Sequence, residues 1–172
     1  MIPAWSGIVG AGEDEVQRLL LSGSVDGASI VEPILSLVLE RDRASRIIAS
    51  PHLMMPNHPG AVVLATSEVI AQSREQIAKL VELHVKAVAF AAAHPDRAAN
   101  DIVEYLGRGL VDPATIRKAL VSDATQLIAD PHSIVASTYL LQDFEQRLGS
   151  PAAAVNIDAL FDFSFYDTRA GR

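Results

Sequence analysis

The sequence predicts an α/β protein on three observations. Short runs at 28–31, 46–50 and 61–66 carry paired β-branched residues, are bounded by turn formers and are too brief for helices. Apolar residues elsewhere recur at the 3.6-residue spacing of amphipathic helices, most clearly over 74–93. The composition shifts near Pro59, with short runs and short helices before it and one run followed mostly by helices after it.

Residues 1–12 mix Pro, Gly and Trp5 and read as a short strand or an irregular entry. From Glu13, acids crowd a first turn, Val16, Leu19 and Leu20 follow at helical spacing, and Gly23 ends a helix of about ten residues. Residues 25–27 then punctuate the exit, and 28–31 reads as a buried strand with Glu32 emerging at its carboxyl end and Pro33 stopping it. Residues 34–40 suit a short helix and 46–50 a second short strand. Residues 51–59, with three prolines and no periodicity, read as an irregular loop.

A third strand is expected at 61–66. Ser67 or Ser73 can cap the helix that follows, which is long and amphipathic over 74–93. His84 falls on its apolar stripe and is expected to be a buried core histidine. Pro95 interrupts the pattern and 96–106 resumes it before Gly107. Asp112-Pro113 and Asp130-Pro131 each place a capping acid before a proline at the first helical position. The second of these helices runs to Leu148, with Tyr139, Leu141 and Phe144 among its apolar contacts. The tail holds Leu160, Phe161, Phe163 and Phe165 and is too aromatic to float free.

At 172 residues the chain is the size of one ordinary domain. Its 49% apolar content and mean hydropathy of +0.24 imply a dense core or apolar surface that needs a partner. A net charge of -7, with 14 basic residues scattered among 21 acids, argues against nucleic acid and against direct binding to an anionic membrane. The absence of Cys excludes thiol catalysis and thiolate metal sites. No apolar run approaches a membrane span and the first residues lack a basic n-region, so neither an anchor nor a signal peptide is expected in this chain.

The segment "LLLSGSVDGASIVEP", followed in order by "NHPGAVVLATSEVI", the long helix "SREQIAKLVELHVKAVAFAAAHPDRAANDIV" and the closing "NIDALFDFSFYD", resembles the solute-binding proteins of ABC importers. The branch is the one handling nitrate, sulfonates, taurine, bicarbonate and thiamine precursors, and the similarity is to its C-terminal part. The resemblance implies an incomplete type II periplasmic-binding-protein-like α/β fold, helix-rich in its C-terminal two-thirds. It implies that 1–56 is part of a second lobe and that 57–172 returns to the first. Two or three short strands cannot cover their own edges, so a homo-oligomer, a partner polypeptide or a missing N-terminal half is expected; a truncated product is the plainer alternative. The resemblance also implies a small-molecule solute, an ABC permease as partner, no cofactor, no metal and no covalent chemistry. It places the protein outside the cytoplasm, whereas a complete chain without a leader would stay inside. An intracellular ligand sensor, an interaction module or an enzyme on the same scaffold are the alternatives.

Four residues are candidate ligand contacts. Glu32 stands at a strand's carboxyl end, where open α/β sheets collect ligands, or else caps a neighbouring helix. Asn57 and His58 match the family pattern at its crossing between lobes and can hydrogen-bond an oxyanion, although Asn57 is equally an ordinary turn former. Trp5 is a core packer or a ring that stacks on ligand. His52 and His58 flank two methionines, but no carboxylate or Cys joins them as metal ligands. His132 reads as a solvated side chain in a first turn.

Overall fold

The computed structural model describes residues 10–58, 60–107, 109, 111–149 and 151–170. Among these the regular structure is entirely helical, and no strand is present. This overturns the expected α/β, periplasmic-binding-protein-like fold class. Residues 28–31, 46–50 and 61–66 carry no regular structure. A run becomes a strand only when a second backbone satisfies its N–H and C=O groups, and none of the three finds such a partner among the described residues.

The chain divides into two compact units between Ile47 and Ile48. The first holds α1 (Glu13–Leu21) and α2 (Ile34–Arg41), which pack on each other. Helix α1 ends where Gly23 takes φ +69, with Gly23 N–H donating to Leu20 C=O and Ser24 N–H to Leu19 C=O, both at 3.0 Å. This paired closure needs a residue free of Cβ at the left-handed position. Among the described residues of the unit, Val38 and Ser36 of α2 are buried.

The second unit begins with the short α3 (Pro51–Met54), so the first part of the expected irregular loop is a helical turn. Helix α4 (Ser67–Gln72) is capped by Thr66, whose Oγ1 accepts from Val69 N–H at 3.2 Å, while Ser73 takes the N-cap position of the long helix that follows, without a side-chain bond. Helix α5 (Arg74–Ala93) covers the expected residues. Its burial differs from expectation: none of its residues is fully buried, and His84 is exposed. His84 is therefore no core histidine. Leu80 and Leu83 beside it are about half exposed as well.

The packed core lies between α6 (Pro95–Leu106) and α7 (Pro113–Leu120). Ala99, Val103 and Ile116 are buried there, with Ile102, Val111 and Leu120 packed around them. An ion pair of 2.8 Å between Arg117 and Asp96 ties the two helices at the rim. The Asp130-Pro131 device opens a 3-10 turn (Pro131–Ile134) that runs into α8 (Val135–Arg147). The expected apolar contacts of α8 are mostly unmade, since Tyr139, Phe144 and Leu148 are all exposed.

The aromatic tail is anchored, as its composition requires. Helix α9 (Ser164–Ala170) packs on α5, with Phe165 buried and the Arg74 guanidinium 4.3 Å from its ring centroid. Arg74 also donates to Ser164 Oγ at 2.7 Å and faces Asp162 at 3.8 Å.

Candidate functional site

Two clefts among the described residues of the first unit are shaped by one feature of its connectivity. One cleft, of about 220 Å³, is lined by Ala11, Val16, Ser29, Ile30, Val31 and Ile34. The other, of about 380 Å³, is lined by Gln17, Arg18, Leu21, Ser22 and Arg41. The first turns of α1 and α2 therefore meet at one cleft and their last turns at the other, so the helices lie side by side in the same sense. A parallel pair requires the connecting chain to run back along the helices, roughly 12 Å for eight residues at 1.5 Å each. Residues 28–31 lie on that return. Their strand-like composition suits it, but among the described residues this pass has no neighbouring strand to bond.

The first cleft is apolar apart from the Ser29 hydroxyl, and Val31 remains mostly exposed at its edge. Glu32 follows directly. One of its oxygens, Oε2, accepts the backbone N–H of Ser36 at 3.0 Å, so the carboxylate closes an open donor in the first turn of α2. Pro33 occupies the N-cap position and has no side-chain donor or acceptor to do so.

The second cleft is lined by two arginines, the amide of Gln17, the hydroxyl of Ser22 and the apolar Leu21. Arg18 and Arg41 stand in the last turns of their helices, where the carbonyl ends favour cations. Arg18 forms a 3.2 Å pair with Glu15, both side chains more than half exposed, an arrangement worth little in water. Asp42, next to Arg41 in the chain, is engaged elsewhere: Oδ2 accepts from Ser45 Oγ at 2.7 Å and Oδ1 from Ala44 N–H at 3.0 Å. The Ser45 hydroxyl and then the Ala44 N–H hold the Asp42 carboxyl below its ordinary pKa, so it stays ionised on that turn. Gln17 keeps its side-chain nitrogen out of solvent with no hydrogen-bond partner.

Asn57 and His58 belong to the second unit. Asn57 takes φ +55, a left-handed turn that Asn tolerates, and its backbone C=O accepts from the buried Ser137 hydroxyl of α8. His58 N–H donates to Met55 C=O at 3.2 Å, completing the turn. Trp5 lies outside the described residues. Sequence reasoning missed Gln17, Arg18 and Arg41. Each arginine is legible as a last-turn cation, but their placing on one cleft depends on the helices running in the same sense.

One further polar cluster lies in the second unit. His132 Nε2 is 2.9 Å from Asp167 Oδ1, and its ring stacks on Phe163 with centroids 4.0 Å apart. The histidine read as solvated thus fastens α9 to the turn before α8, although its side chain is partly exposed.

The family profile described as NMT1/THI5 like matches residues 6–98, more than half of the chain. The match takes in α1 to α5 and the first residues of α6, and stops short of the packed core. No curated protein and no solved structure matches the chain.

Proposed function

The chain belongs to the NMT1/THI5-like family, that of ABC-importer substrate-binding proteins and thiamine-precursor proteins, and on that premise we propose that it binds a nitrate-, sulfonate- or taurine-like solute. The family supports a substrate-binding role. The further steps are the identity of the solute, delivery to an ABC permease, a place outside the cytoplasm, and binding without covalent chemistry. Glu32, Asn57, His58 and Trp5 are proposed as ligand contacts.

The observation that carries the reading is the family match over 6–98. It spans all described residues of the first unit, including both clefts and the stretch 22–33 between the helices. A partner chain, a second copy included, is supported by exposed apolar side chains: Ile48, Leu53 and Leu64 each keep about 85% of their surface open. Among the described residues no helix is long and apolar enough to cross a membrane.

The test is calorimetric titration of the folded chain with nitrate, taurine, an alkanesulfonate, bicarbonate and an aminopyrimidine. Saturable binding of one of them, weakened by Glu32→Ala, is expected. Trp5 is the only tryptophan, so its fluorescence during the same titration reports directly on its own role. Failure of every solute to bind the folded chain would overturn the reading.

A further inference from the structure

Asp26-Gly27 is the one Asp-Gly pair in the chain, and it lies on the return between α1 and α2. Both residues are exposed and stand in irregular backbone. The Asp26 carboxylate makes no hydrogen bond or ion pair with any described residue, and the Gly27 N–H makes none either. Beyond its two chain neighbours, no described heavy atom lies within 4 Å of the point where a Cβ on Gly27 would stand. An acid and the amide nitrogen after it are thus both unengaged, with open space around them.

That pairing has a defined chemistry. In the neutral acid form of Asp26, the Gly27 nitrogen attacks the carboxyl carbon Cγ. The new N–Cγ bond closes a five-membered ring through Cβ, Cα and the main-chain carbonyl carbon, and the hydroxyl on Cγ leaves as water with the proton from nitrogen. Water then reopens this succinimide at one of its two carbonyls. Opening at Cγ restores aspartate. Opening at the main-chain carbonyl breaks its bond to nitrogen, so the chain runs on through Cβ and Cγ as isoaspartate, and the former main-chain carbonyl becomes a free carboxylate. The charge is unchanged and the backbone is one atom longer. Closing the ring requires the backbone at this point to turn freely, which an unbonded N–H and a residue without Cβ allow.

The other aspartates outside the α-helices each lack one of these conditions. Asp112 and Asp130 precede prolines and so face no N–H. Asp42 is held by Ser45 and Ala44, and Asp162 by Ser164. The N–H after Asp123 is donated to Ser122 Oγ, and the one after Asp158 to the Asn156 C=O.

We propose that Asp26-Gly27 is a covalent modification site, where aspartate converts to isoaspartate on the folded chain. The displaced carboxylate stands on an exposed segment, as a carboxyl methyltransferase acting on isoaspartate requires. The added backbone atom enters just ahead of Ser29, Ile30 and Val31, so the modification alters the stretch that lines the first cleft. The site stands on the exposure and bonding of this segment and does not rest on the solute-binding reading.

The full chain is incubated for weeks at neutral pH and physiological temperature and then digested with trypsin. The peptide Leu19–Arg41 holds Asp26 as its one aspartate. It is expected to divide into two species of equal mass, the new one accepting a labelled methyl group from S-adenosylmethionine through an isoaspartyl methyltransferase. Asp26→Glu keeps the charge but would need a six-membered ring, and it should lose the signal. Gly27→Val, whose β-branch crowds the nitrogen, should lower it several-fold. Both positions are open to solvent, and circular dichroism checks that both variants keep the fold. No new species in Leu19–Arg41, an equal methyl signal from the other aspartate peptides, or a signal that persists in Asp26→Glu would each overturn the proposal. So would a rate in the folded chain roughly tenfold or more below that of the isolated Leu19–Arg41 peptide, because an added barrier of about 1.4 kcal/mol means that the fold restrains this pair.

Discussion

Asp112 holds Thr115 with both carboxylate oxygens: Oδ1 accepts the backbone N–H at 3.0 Å and Oδ2 the hydroxyl at 2.8 Å. Thr115 is fully buried, so the start of α7 is fixed beside the Ala99, Val103 and Ile116 core. The Thr115 hydroxyl, and then its N–H, lower the Asp112 pKa from the ordinary 3.8. A lowered folded pKa means the contribution is present above the unfolded value and is lost as pH falls through the folded one. Asp112→Ala should therefore lower Tm by several degrees at pH 7. The gap between variant and wild type should narrow below about pH 4. A gap independent of pH between 7 and 2 would show that the carboxylate charge is not what caps α7.

Ile116 is 5% exposed in the same core. Ile116→Ala should cost about 2–5 kcal/mol in urea denaturation. Leu64→Ala, at a side chain that is 86% exposed, should cost less than about 0.5 kcal/mol. Equal losses at the two positions would contradict the placement of the core between α6 and α7.

Arg74 lies over Phe165 while it also bonds Ser164 and faces Asp162. A double-mutant cycle of Arg74→Met and Phe165→Leu should return a coupling of about 0.5–1 kcal/mol, the value for a partly solvated cation over a ring. Zero coupling would detach the tail from α5 in solution.

The Asp158 carboxylate beside the Tyr139 hydroxyl favours its protonated form and raises the phenol pKa above its ordinary 10.0. Ultraviolet titration should show one tyrosine ionising later than the others, and Asp158→Asn should bring it back. By the same linkage, the contribution of this interaction to stability is complete below about pH 10 and is lost as pH rises through the folded pKa.

Gln17 carries an orphaned side-chain nitrogen. Gln17→Met keeps the length and removes the donor, so stability in urea should be unchanged or raised by up to about 1 kcal/mol. A clear loss would mean that the nitrogen has a partner in solution.

The helices were legible where their signals are local. Gly23 after α1, Pro95 at the start of α6 and Asp112-Pro113 before α7 act within a few residues, through backbone φ and capping bonds, and each boundary lies where the sequence places it. The runs at 28–31, 46–50 and 61–66 were read as strands from composition, and that reading failed because a strand is a property of two segments. His84 was misplaced for a related reason. Periodicity shows that α5 has an apolar stripe, but whether anything covers the stripe is not a property of α5.

The candidate sites divide along the same line. Glu32 was recognisable as a charge at a turn, with helix capping as one of its two readings, and its bond to Ser36 spans only four residues. The placing of Arg18 and Arg41 on one cleft spans 23 positions and depends on two helices lying side by side in the same sense. Family, acidic charge, helix ends and the aromatic anchor of the tail are written into the residues themselves, because composition and capping act locally. Which runs go unpaired among the described residues, which faces stay open and which side chains share a cleft follow from the folded arrangement, because they depend on contacts between segments far apart in the chain.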